Sequence, residues 1–320
     1  MATDAAAITA RATPPKKRRP GWFRRYRFEI ALVAPLVIYT LFLTVAPIID
    51  TFRRSFSSPT KGFGTLETFR GLFEGFSFSQ PTEFQRAIVN TVIVALLSLA
   101  LELGIGLSIA LAVHAKFRGR GFVRTVLLVP MGVPTIVSGA VMLLIFQRAG
   151  YLNSATAAFA DLVSKLPGIE WEFQNFSLQV AGGWKTLFTI AVADMWKVLP
   201  VVVLIFIAGL ESIPQDVYEA ADVDGATKWQ RFRRVTLPLL IPYFTMALIL
   251  RAIDAYRIYE LALVLAGGIE PVLGTYISKE YLPPVSNLFT SSAASVVLFG
   301  IIMFFIVLYL RFVARSQVQR

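Results

Sequence analysis

Residues 219–238 read EAADVDGATKWQRFRRVTLP, and long apolar segments stand on both sides of this run. Its spacing is Glu-Ala-Ala, three residues, glycine, nine residues, valine, one residue, and Leu-Pro. A basic run between two apolar segments is typical of a loop on the cytoplasmic side of a membrane. The stretch therefore indicates a membrane protein in which the surrounding apolar segments set the fold.

The same loop carries start and stop signals for two short helices. A Ser-x-x-Gln pattern at 212–215 is a capping box and predicts a helix beginning near Ile213. Gly225 stands where such a helix ends in a left-handed turn. A Thr-x-x-Gln pattern at 227–230 predicts a second helix over residues 228–235, which leads into the next apolar segment.

The composition places the chain in the membrane class. It has 320 residues, of which 56% are hydrophobic and 16% are charged, and its mean hydropathy is +0.64. Soluble domains carry about 25% charged residues, so the sequence predicts an all-α polytopic membrane protein. The chain has no cysteine and a single histidine, His114, for which we expect a structural or interfacial role. Disulfides, thiolate catalysis and sites that need two imidazoles are thereby excluded.

Six apolar segments are long enough to cross a bilayer, which takes about 20 helical residues. They form a predicted transmembrane domain over residues 29–314, with a loop at 211–237 and two outer loops at 50–87 and 148–185 that we expect to form short helices. The predicted spans are 30–49, 88–113, 122–147, 186–210, 239–266 and 290–313.

Lysine and arginine are distributed unequally between the two sides of the predicted membrane. The segments on the side of the termini carry 19 of them, and the segments on the other side carry 9. By the positive-inside rule, both termini and the loop at 211–237 face the cytoplasm. The net charge of +11 therefore reflects topology, with anionic membrane lipids and not nucleic acid as its partners. The basic N-terminal residues 1–28 are predicted to be disordered.

The spacing within residues 219–238 resembles the EAA loop of binding-protein-dependent ABC importer permeases. Further segments resemble the same family: DMWKVLPVVVLIFIAGLESIP at 194–214, LLVPMGVP at 127–134, GYLN at 150–153 and LAGGIEPVLGTYISKEY at 265–281. The resemblance covers residues 28–313. It is nearest to the carbohydrate-uptake branch, in particular the larger permease of maltose-type pairs.

This resemblance implies a type I importer in the cell membrane, with six transmembrane helices per permease. Two permeases pair as a heterodimer, an extracytoplasmic solute-binding protein delivers the solute, and two ATP-binding subunits hold the EAA loops. It implies that ATP and Mg²⁺ are bound by the ATPase and that this chain binds no cofactor. The residues that it assigns to the ATPase contact are Glu219, Ala220, Ala221, Asp224, Gly225 and Ala226.

The residues themselves show no sign of catalysis. The sequence contains no G-x-x-x-x-G-K-[ST] phosphate loop, and in GGWKT at 182–186 a tryptophan fills the required glycine position. We recognise no catalytic constellation and no metal site. A chain that has the EAA loop but no phosphate loop for ATP needs a separate ATPase subunit.

Ionisable residues inside apolar segments are costly and are therefore candidates for function. Glu102 lies in the second span, and Asp194 and Lys197 lie three residues apart in the fourth span, where we expect them to pair. In the fifth span Arg251, Asp254, Arg257 and Glu260 follow at three-residue steps, with Tyr256 and Tyr259 among them.

Two interpretations are open for the fifth span. Because charges three residues apart are neighbours on a helix, they could form a chain of intrahelical ion pairs. Alternatively they form a polar wall of the solute path, in which tyrosine rings offer faces to a sugar. The candidates for that wall are Asp254, Tyr256, Arg257, Tyr259 and Glu260.

Two alternatives to a sugar importer are also open. A membrane-embedded transferase could use intramembrane carboxylates and outer aromatic loops as well. An importer of the same type could carry glycerol phosphate, a polyamine or a peptide, since four ionisable residues of mixed sign do not select among these solutes.

Overall fold

The structure is a computed structural model, and it describes residues 26–75, 77, 79–115, 117–165 and 182–318. The basic segment predicted at residues 1–28 lies almost wholly outside the described residues. The chain divides after Asp50 into two compact units. The first contains most of one long helix, and the second contains all the other elements.

Helices dominate the described residues. Helix α1 covers Arg27–Ser55 and includes a π-helical stretch at Leu41–Val45. Strands β1 (Ser57–Ser58) and β2 (Gly62–Phe63) form a small antiparallel hairpin. The other helices are α2 (Glu67–Phe73), α3 (Glu83–His114), α4 (Arg120–Leu127), α5 (Thr135–Phe146), α6 (Tyr151–Ser164), α7 (Gly183–Glu211), α8 (Gln215–Val223), α9 (Lys228–Tyr256), α10 (Glu260–Ala266), α11 (Leu273–Tyr281) and α12 (Leu288–Val318).

Six helical runs within the described residues are long and apolar enough to cross a membrane. They are α1, α3, the run Thr135–Ser164 that joins α5 and α6, α7, α9, and Leu288–Arg311 of α12. In this described part of the chain, the only strands are the short β1 and β2. The prediction of an all-α polytopic membrane fold with six spans is confirmed.

The third predicted span, at residues 122–147, is not one helix. A 3-10 turn at Val129–Gly132 separates α4 from α5. Pro130 lies in this turn and Pro134 stands directly before α5. Because proline has no N–H to continue a helical ladder, the two prolines explain the interruption. The run that is long enough to cross a membrane here is Thr135–Ser164, further along the chain than predicted.

The fifth predicted span, at residues 239–266, is also interrupted. Helix α9 begins in the preceding loop and ends at Tyr256, before α10 begins. The break packs against α11 at Gly274, where a Cβ atom would lie only 2.5 Å from the carbonyl oxygen of Ile258. A glycine in α11 therefore permits the close approach that holds the break in place.

Helix α3 lies at the centre of the second unit. Its buried apolar residues belong to four clusters. The first cluster includes residues of α7 and α10, and the second includes residues of α7 and α9. The third includes residues of α2, α11 and α12, and the fourth includes residues of α9 and α12. Helix α3 approaches α7 closely at Gly106, where a Cβ atom would lie 2.8 Å from Cγ1 of Val202. A small residue at a helix crossing allows this approach.

Candidate functional site

The EAA loop, residues 211–237, has the predicted helix–turn–helix form. Helix α8 ends at Val223, and Gly225 follows with a φ of 72°. The N–H of Gly225 donates to the carbonyl of Asp222 at 3.1 Å, and the N–H of Ala226 donates to the carbonyl of Ala221 at 3.0 Å. These two bonds form a Schellman motif, which requires a left-handed residue after the helix. The predicted left-handed turn at Gly225 is confirmed.

One of the two predicted capping boxes is present. The hydroxyl of Thr227 accepts from the N–H of Gln230 at 3.3 Å, and the Gln230 side chain accepts from the N–H of Thr227 at 2.8 Å. The prediction at Ser212 is wrong, because its hydroxyl donates to the carbonyl of Gly209 at 2.7 Å. Ser212 therefore closes the end of α7, and α8 begins after Pro214.

The two halves of the EAA loop are tied together. Arg231 at the start of α9 donates to both carboxylate oxygens of Asp222 at 2.8 and 2.9 Å. Its guanidinium carbon also lies 5.5 Å from the centre of the Tyr218 ring in α8. This ion pair and the cation–π contact connect α8 to the start of α9.

The residues of the expected ATPase contact do not all face outward. Ala221 is buried within the chain, so the two alanines of the EAA tripeptide do not form one smooth outer surface. The exposed members are Glu219, Ala220, Asp224 and Gly225, and Ala226 is half-buried.

Two apolar side chains extend the outer surface of this loop. Val223 is 88% exposed at the end of α8, and Trp229 is 67% exposed in the first turn of α9. The ring of Trp229 also lies 5.6 Å from that of Phe232, measured between ring centres. The sequence interpretation did not include these residues, although a valine and a tryptophan in an otherwise polar loop were a visible signal.

Helix α9 connects the EAA loop to the ionisable residues of the fifth span. It has 29 residues, or about 43 Å at 1.5 Å per residue. A π-helical stretch at Phe232–Thr236 precedes Pro238 and Pro242. Since both prolines lack an N–H donor and crowd the preceding turn, a local widening at this place is expected.

A buried ion network joins α3, α7 and α9. Arg251 of α9 is 3% exposed, and Glu102 of α3 is fully buried. Arg251 donates to both carboxylate oxygens of Glu102 at 2.9 and 3.1 Å, to Asp194 of α7 at 3.3 Å and to Asp254 at 3.1 Å. The Ser98 hydroxyl lies 2.8 Å from Glu102 and 2.6 Å from Asp194. One guanidinium thus holds carboxylates from three helices.

The predicted pair of Asp194 with Lys197 is wrong. Asp194 contacts Arg251 and Ser98, whereas the ammonium of Lys197 donates to the carbonyl of Val133 at 2.7 Å. Val133 lies in the break between α4 and α5, where its carbonyl is outside a regular helix. Each charged group therefore contacts a partner outside its own helix and not its neighbour in sequence.

Of the predicted intrahelical ion pairs in the fifth span, only the first, between Arg251 and Asp254, is present in the described residues. Arg251 pairs with Asp254, but among the described residues no ion pair joins Arg257 to Asp254 or to Glu260. The physical reason is the helix break, since Arg257 follows the end of α9 and Glu260 begins α10. That interpretation of the sequence is wrong beyond Asp254.

A cavity of about 330 Å³ lies beside the ion network. Four of the five candidates for the solute path line it, namely Asp254, Arg257, Tyr259 and Glu260. A second cavity of about 200 Å³ shares Lys197, Arg251 and Asp254 with it. The larger cavity has three cationic and three anionic side chains in its wall: Lys197, Arg251, Arg257, Asp194, Asp254 and Glu260.

Tyr256, the fifth candidate, does not line this cavity. It is 2% exposed, and its ring centre lies 5.4 Å from that of Phe305 in α12. Tyr259 does line the cavity, and its hydroxyl lies 3.1 Å from the hydroxyl of Ser278 in α11. The helix break separates the two tyrosines, so only Tyr259 offers a ring to the charged wall.

A separate cavity of about 540 Å³ lies between the β1–β2 hairpin, α2, α3 and α11. Glu67, Glu83 and Glu280 line it. Burial raises the pKa of Glu280, Lys279 lowers it, and the nearby Glu83 raises it further. In the described residues, no group of three or more His, Asp or Glu side chains is placed to hold a metal ion.

Comparison with known proteins connects this geometry to a family. Residues 104–320 match the family described as binding-protein-dependent transport system inner membrane component. The chain is 33% identical over 294 residues to the trehalose/maltose transport system permease protein MalF of Thermococcus litoralis, which covers 90% of this chain and 94% of that protein.

Two further relatives have different transport names. The sulfoquinovosyl glycerol transport system permease protein SmoG of Agrobacterium fabrum is 30% identical over 93% of this chain and 96% of that protein. The sn-glycerol-3-phosphate transport system permease protein UgpA of Brucella abortus is 30% identical over 89% of this chain and 94% of that protein.

A solved structure shows the same fold. A chain of a bacterial ABC transporter involved in the import of the acidic polysaccharide alginate superposes with a TM-score of 0.72 at 23% identity, over 92% of this chain and 97% of that one. The family match covers more than half of the chain, and the relatives align over nearly its whole length. The chain therefore belongs to the binding-protein-dependent transport system inner membrane components, the permeases of ABC importers.

Proposed function

We propose that this chain forms half of the solute path of an ATP-driven importer for a neutral sugar or oligosaccharide. The observation that carries the proposal is the continuity of α9. Its first residues belong to the EAA loop, and its last residues border the 330 Å³ cavity. One continuous helical run thus links the surface offered to an ATPase with the cavity offered to a solute.

The charge balance of the cavity supports a neutral solute. Three cationic and three anionic side chains line it, so its wall has no excess of either sign. A site for glycerol phosphate needs a surplus of positive groups, and a site for a polyamine needs a surplus of carboxylates. A balanced set of donors and acceptors with the ring of Tyr259 suits the hydroxyls and the apolar face of a sugar ring. The name of the trehalose/maltose relative agrees with a neutral sugar, whereas the sulfoquinovosyl glycerol relative is named for a sugar derivative that carries a sulfonate.

The partners follow from the family and the loop. We infer a second permease in a heterodimer, two ATP-binding subunits on the two EAA loops, and an extracytoplasmic solute-binding protein. ATP and Mg²⁺ belong to the ATPase, and both termini of this chain face the cytoplasm. Family membership supports transport over the alternative of a membrane-embedded transferase.

The test is uptake by the complete importer, with sister permease, ATPase and solute-binding protein, in proteoliposomes. The probes are radiolabelled trehalose, maltose, sn-glycerol-3-phosphate and spermidine. We expect ATP-dependent uptake of a neutral sugar. Turnover of a lipid-linked substrate by the isolated chain, without ATP-dependent uptake, would establish the transferase instead.

The cavity is tested by Arg257→Gln, with Arg148→Gln as the matched control, since Arg148 is exposed and does not line the cavity. A hydrogen bond to a charged group contributes about 1.5–3 kcal/mol, so uptake per assembled complex should fall at least about tenfold at low solute concentration. Assembly should stay unchanged. If Arg257→Gln and Tyr259→Leu both transport like the control, this cavity is not the solute path.

A further inference from the structure

A polar cavity of about 430 Å³, separate from those described above, lies where the end of α3 meets the EAA loop. Three elements supply its polar groups, and among the described residues no carboxylate lines it. These groups are His114 of α3, Gln215 and Tyr218 of α8, and Lys228, Arg231 and Thr236 of α9.

Two of these groups, His114 and Lys228, lack a partner among the described residues. The Nδ1 atom of His114 is buried without a hydrogen-bond partner in the described residues. A buried polar atom of this kind destabilises the fold unless a bound molecule satisfies it. Lys228 is exposed and forms no ion pair within the described part of the chain. Arg231, in contrast, is held in place by Asp222, so its charge is fixed at the cavity.

We propose that this cavity is a binding site for a phosphate group. Two cations, an imidazole and two hydroxyls converge on it, which are donor groups that recognise phosphate oxygens. Asp222 pairs with Arg231 from outside the lining, so within the described residues Lys228 is the cation of the cavity that has no carboxylate partner. The phosphate belongs either to an anionic phospholipid or to a soluble phosphate compound. Leu111 and Leu210 form an apolar side of the cavity, where a lipid would place its chains.

Because of the position of this cavity, a bound phosphate would connect the EAA loop to a membrane span. The cavity lies at the end of a membrane span, on the side that the lysine and arginine distribution makes cytoplasmic, where basic pockets between helices bind phospholipid head groups. A phosphate that contacts His114, Tyr218 and Lys228 would join α3, α8 and α9. It would brace the EAA loop against the membrane helices, whatever solute the importer carries.

The experiment measures the acylation rate of Lys228 in the complete importer, purified in detergent, by peptide mass spectrometry. The probes are short-chain phosphatidylglycerol, short-chain phosphatidylcholine and inorganic phosphate. Lys165, which is 69% exposed outside the cavity, is the internal control. We expect a bound phosphate to slow acylation of Lys228 about fivefold and to leave Lys165 unchanged.

Variants locate the effect. Removing a polar group of the cavity in His114→Phe or in Gln215→Leu should weaken binding of the protecting probe about fivefold, the effect of losing one hydrogen bond. Arg234→Gln removes a cation outside the cavity and should retain protection. Two cavity variants are included because one of them could fail to assemble.

The outcomes show whether the phosphate comes from a lipid or from a soluble compound, and whether the cavity binds phosphate at all. Protection by phosphatidylglycerol but not by inorganic phosphate identifies a lipid site, and protection by inorganic phosphate identifies a soluble ligand. The proposal is overturned if no probe protects Lys228, or if both cavity variants are protected as well as Arg234→Gln. Because the readout is binding and not uptake, its failure would leave the proposed transport function untouched.

Discussion

Replacing Arg251 with methionine should be far more damaging than replacing any of its partners. Arg251 is almost fully buried and donates to Glu102, Asp194 and Asp254. Methionine keeps much of the side-chain volume but leaves the two buried carboxylates, Glu102 and Asp194, without a cation. Removing one partner from a buried ion pair costs about 3–5 kcal/mol, because the remaining charge is uncompensated.

The partners should rank by burial. Glu102→Gln leaves Arg251 paired with two other carboxylates, so we expect a loss of about 2 kcal/mol, the contribution of a hydrogen bond to a charged group. Asp254 is 60% exposed at its side chain, so Asp254→Asn should cost less than about 1 kcal/mol. The double variant of Arg251→Met with Glu102→Gln should be more stable than Arg251→Met alone, since one stranded charge is gone.

The assay is thermal inactivation of the assembled, detergent-solubilised importer, measured as loss of the monodisperse complex. At about 2–4 °C per kcal/mol, Arg251→Met should lower the midpoint by about 10 °C, and Asp254→Asn by less than about 4 °C. Equal midpoints for Arg251→Met and Glu102→Gln would refute the idea that one guanidinium compensates several carboxylates. So would a double variant that is less stable than Arg251→Met.

Two further predictions concern the EAA loop and the topology. Gly225→Leu should reduce ATPase copurification and uptake about tenfold or more while insertion stays normal, because a leucine at a φ of 72° costs about 1–2 kcal/mol; Gly225→Asn, which tolerates this conformation, is the control, and wild-type uptake by a well-expressed Gly225→Leu would contradict the assignment. In this cysteine-free chain, a cysteine replacing Ser286 should react with an impermeant maleimide in intact cells, and a cysteine replacing Thr227 should react only after the membrane is opened. Labelling of the latter from outside would reverse the topology.

The EAA loop could be predicted in detail because its signals are local. The Thr227 capping box and the Gly225 turn are hydrogen-bond patterns that close within a few residues, so a single sequence contains all the information. The error at Ser212 is local as well. A serine hydroxyl at this position can cap the following helix or hydrogen-bond to the end of the preceding one. Here the Ser212 hydroxyl donates to the carbonyl of Gly209 in the preceding helix, and Pro214 stands directly before the following helix.

The ion network could not be predicted because its partners are distant in sequence. Spacing suggested Asp194 with Lys197, but Asp194 instead contacts Arg251, 57 residues away, and Glu102 contacts Arg251 across 149 residues. Two helix breaks, one in the third predicted span and one in the fifth, also changed which side chains lie close together. The prolines of the third span were visible but a hydropathy window does not register them, and the break after Tyr256 depends on the approach of α11 at Gly274.

The position of Arg251 along α9 determines what a displaced EAA loop can do. Arg251 ties α9 to both α3 and α7 by charged hydrogen bonds, whereas Leu240 and Ala247 contact the same two helices through apolar packing. We therefore expect a tilt of α9 to pivot near Arg251. From Arg251 to the start of α9 at Lys228 is about 35 Å, and to its end at Tyr256 about 8 Å, at 1.5 Å per residue. A tilt about this pivot moves the loop end about four times as far as the cavity end, by the ratio of these helix lengths. A movement of several ångströms imposed by an ATPase would then shift Arg257 and the cavity wall by about 1 Å or more, on the same helix geometry. If the cavity is the solute path, as proposed, a shift of that size is enough to break or form hydrogen bonds to a sugar, since such bonds weaken steeply beyond about 3.2 Å.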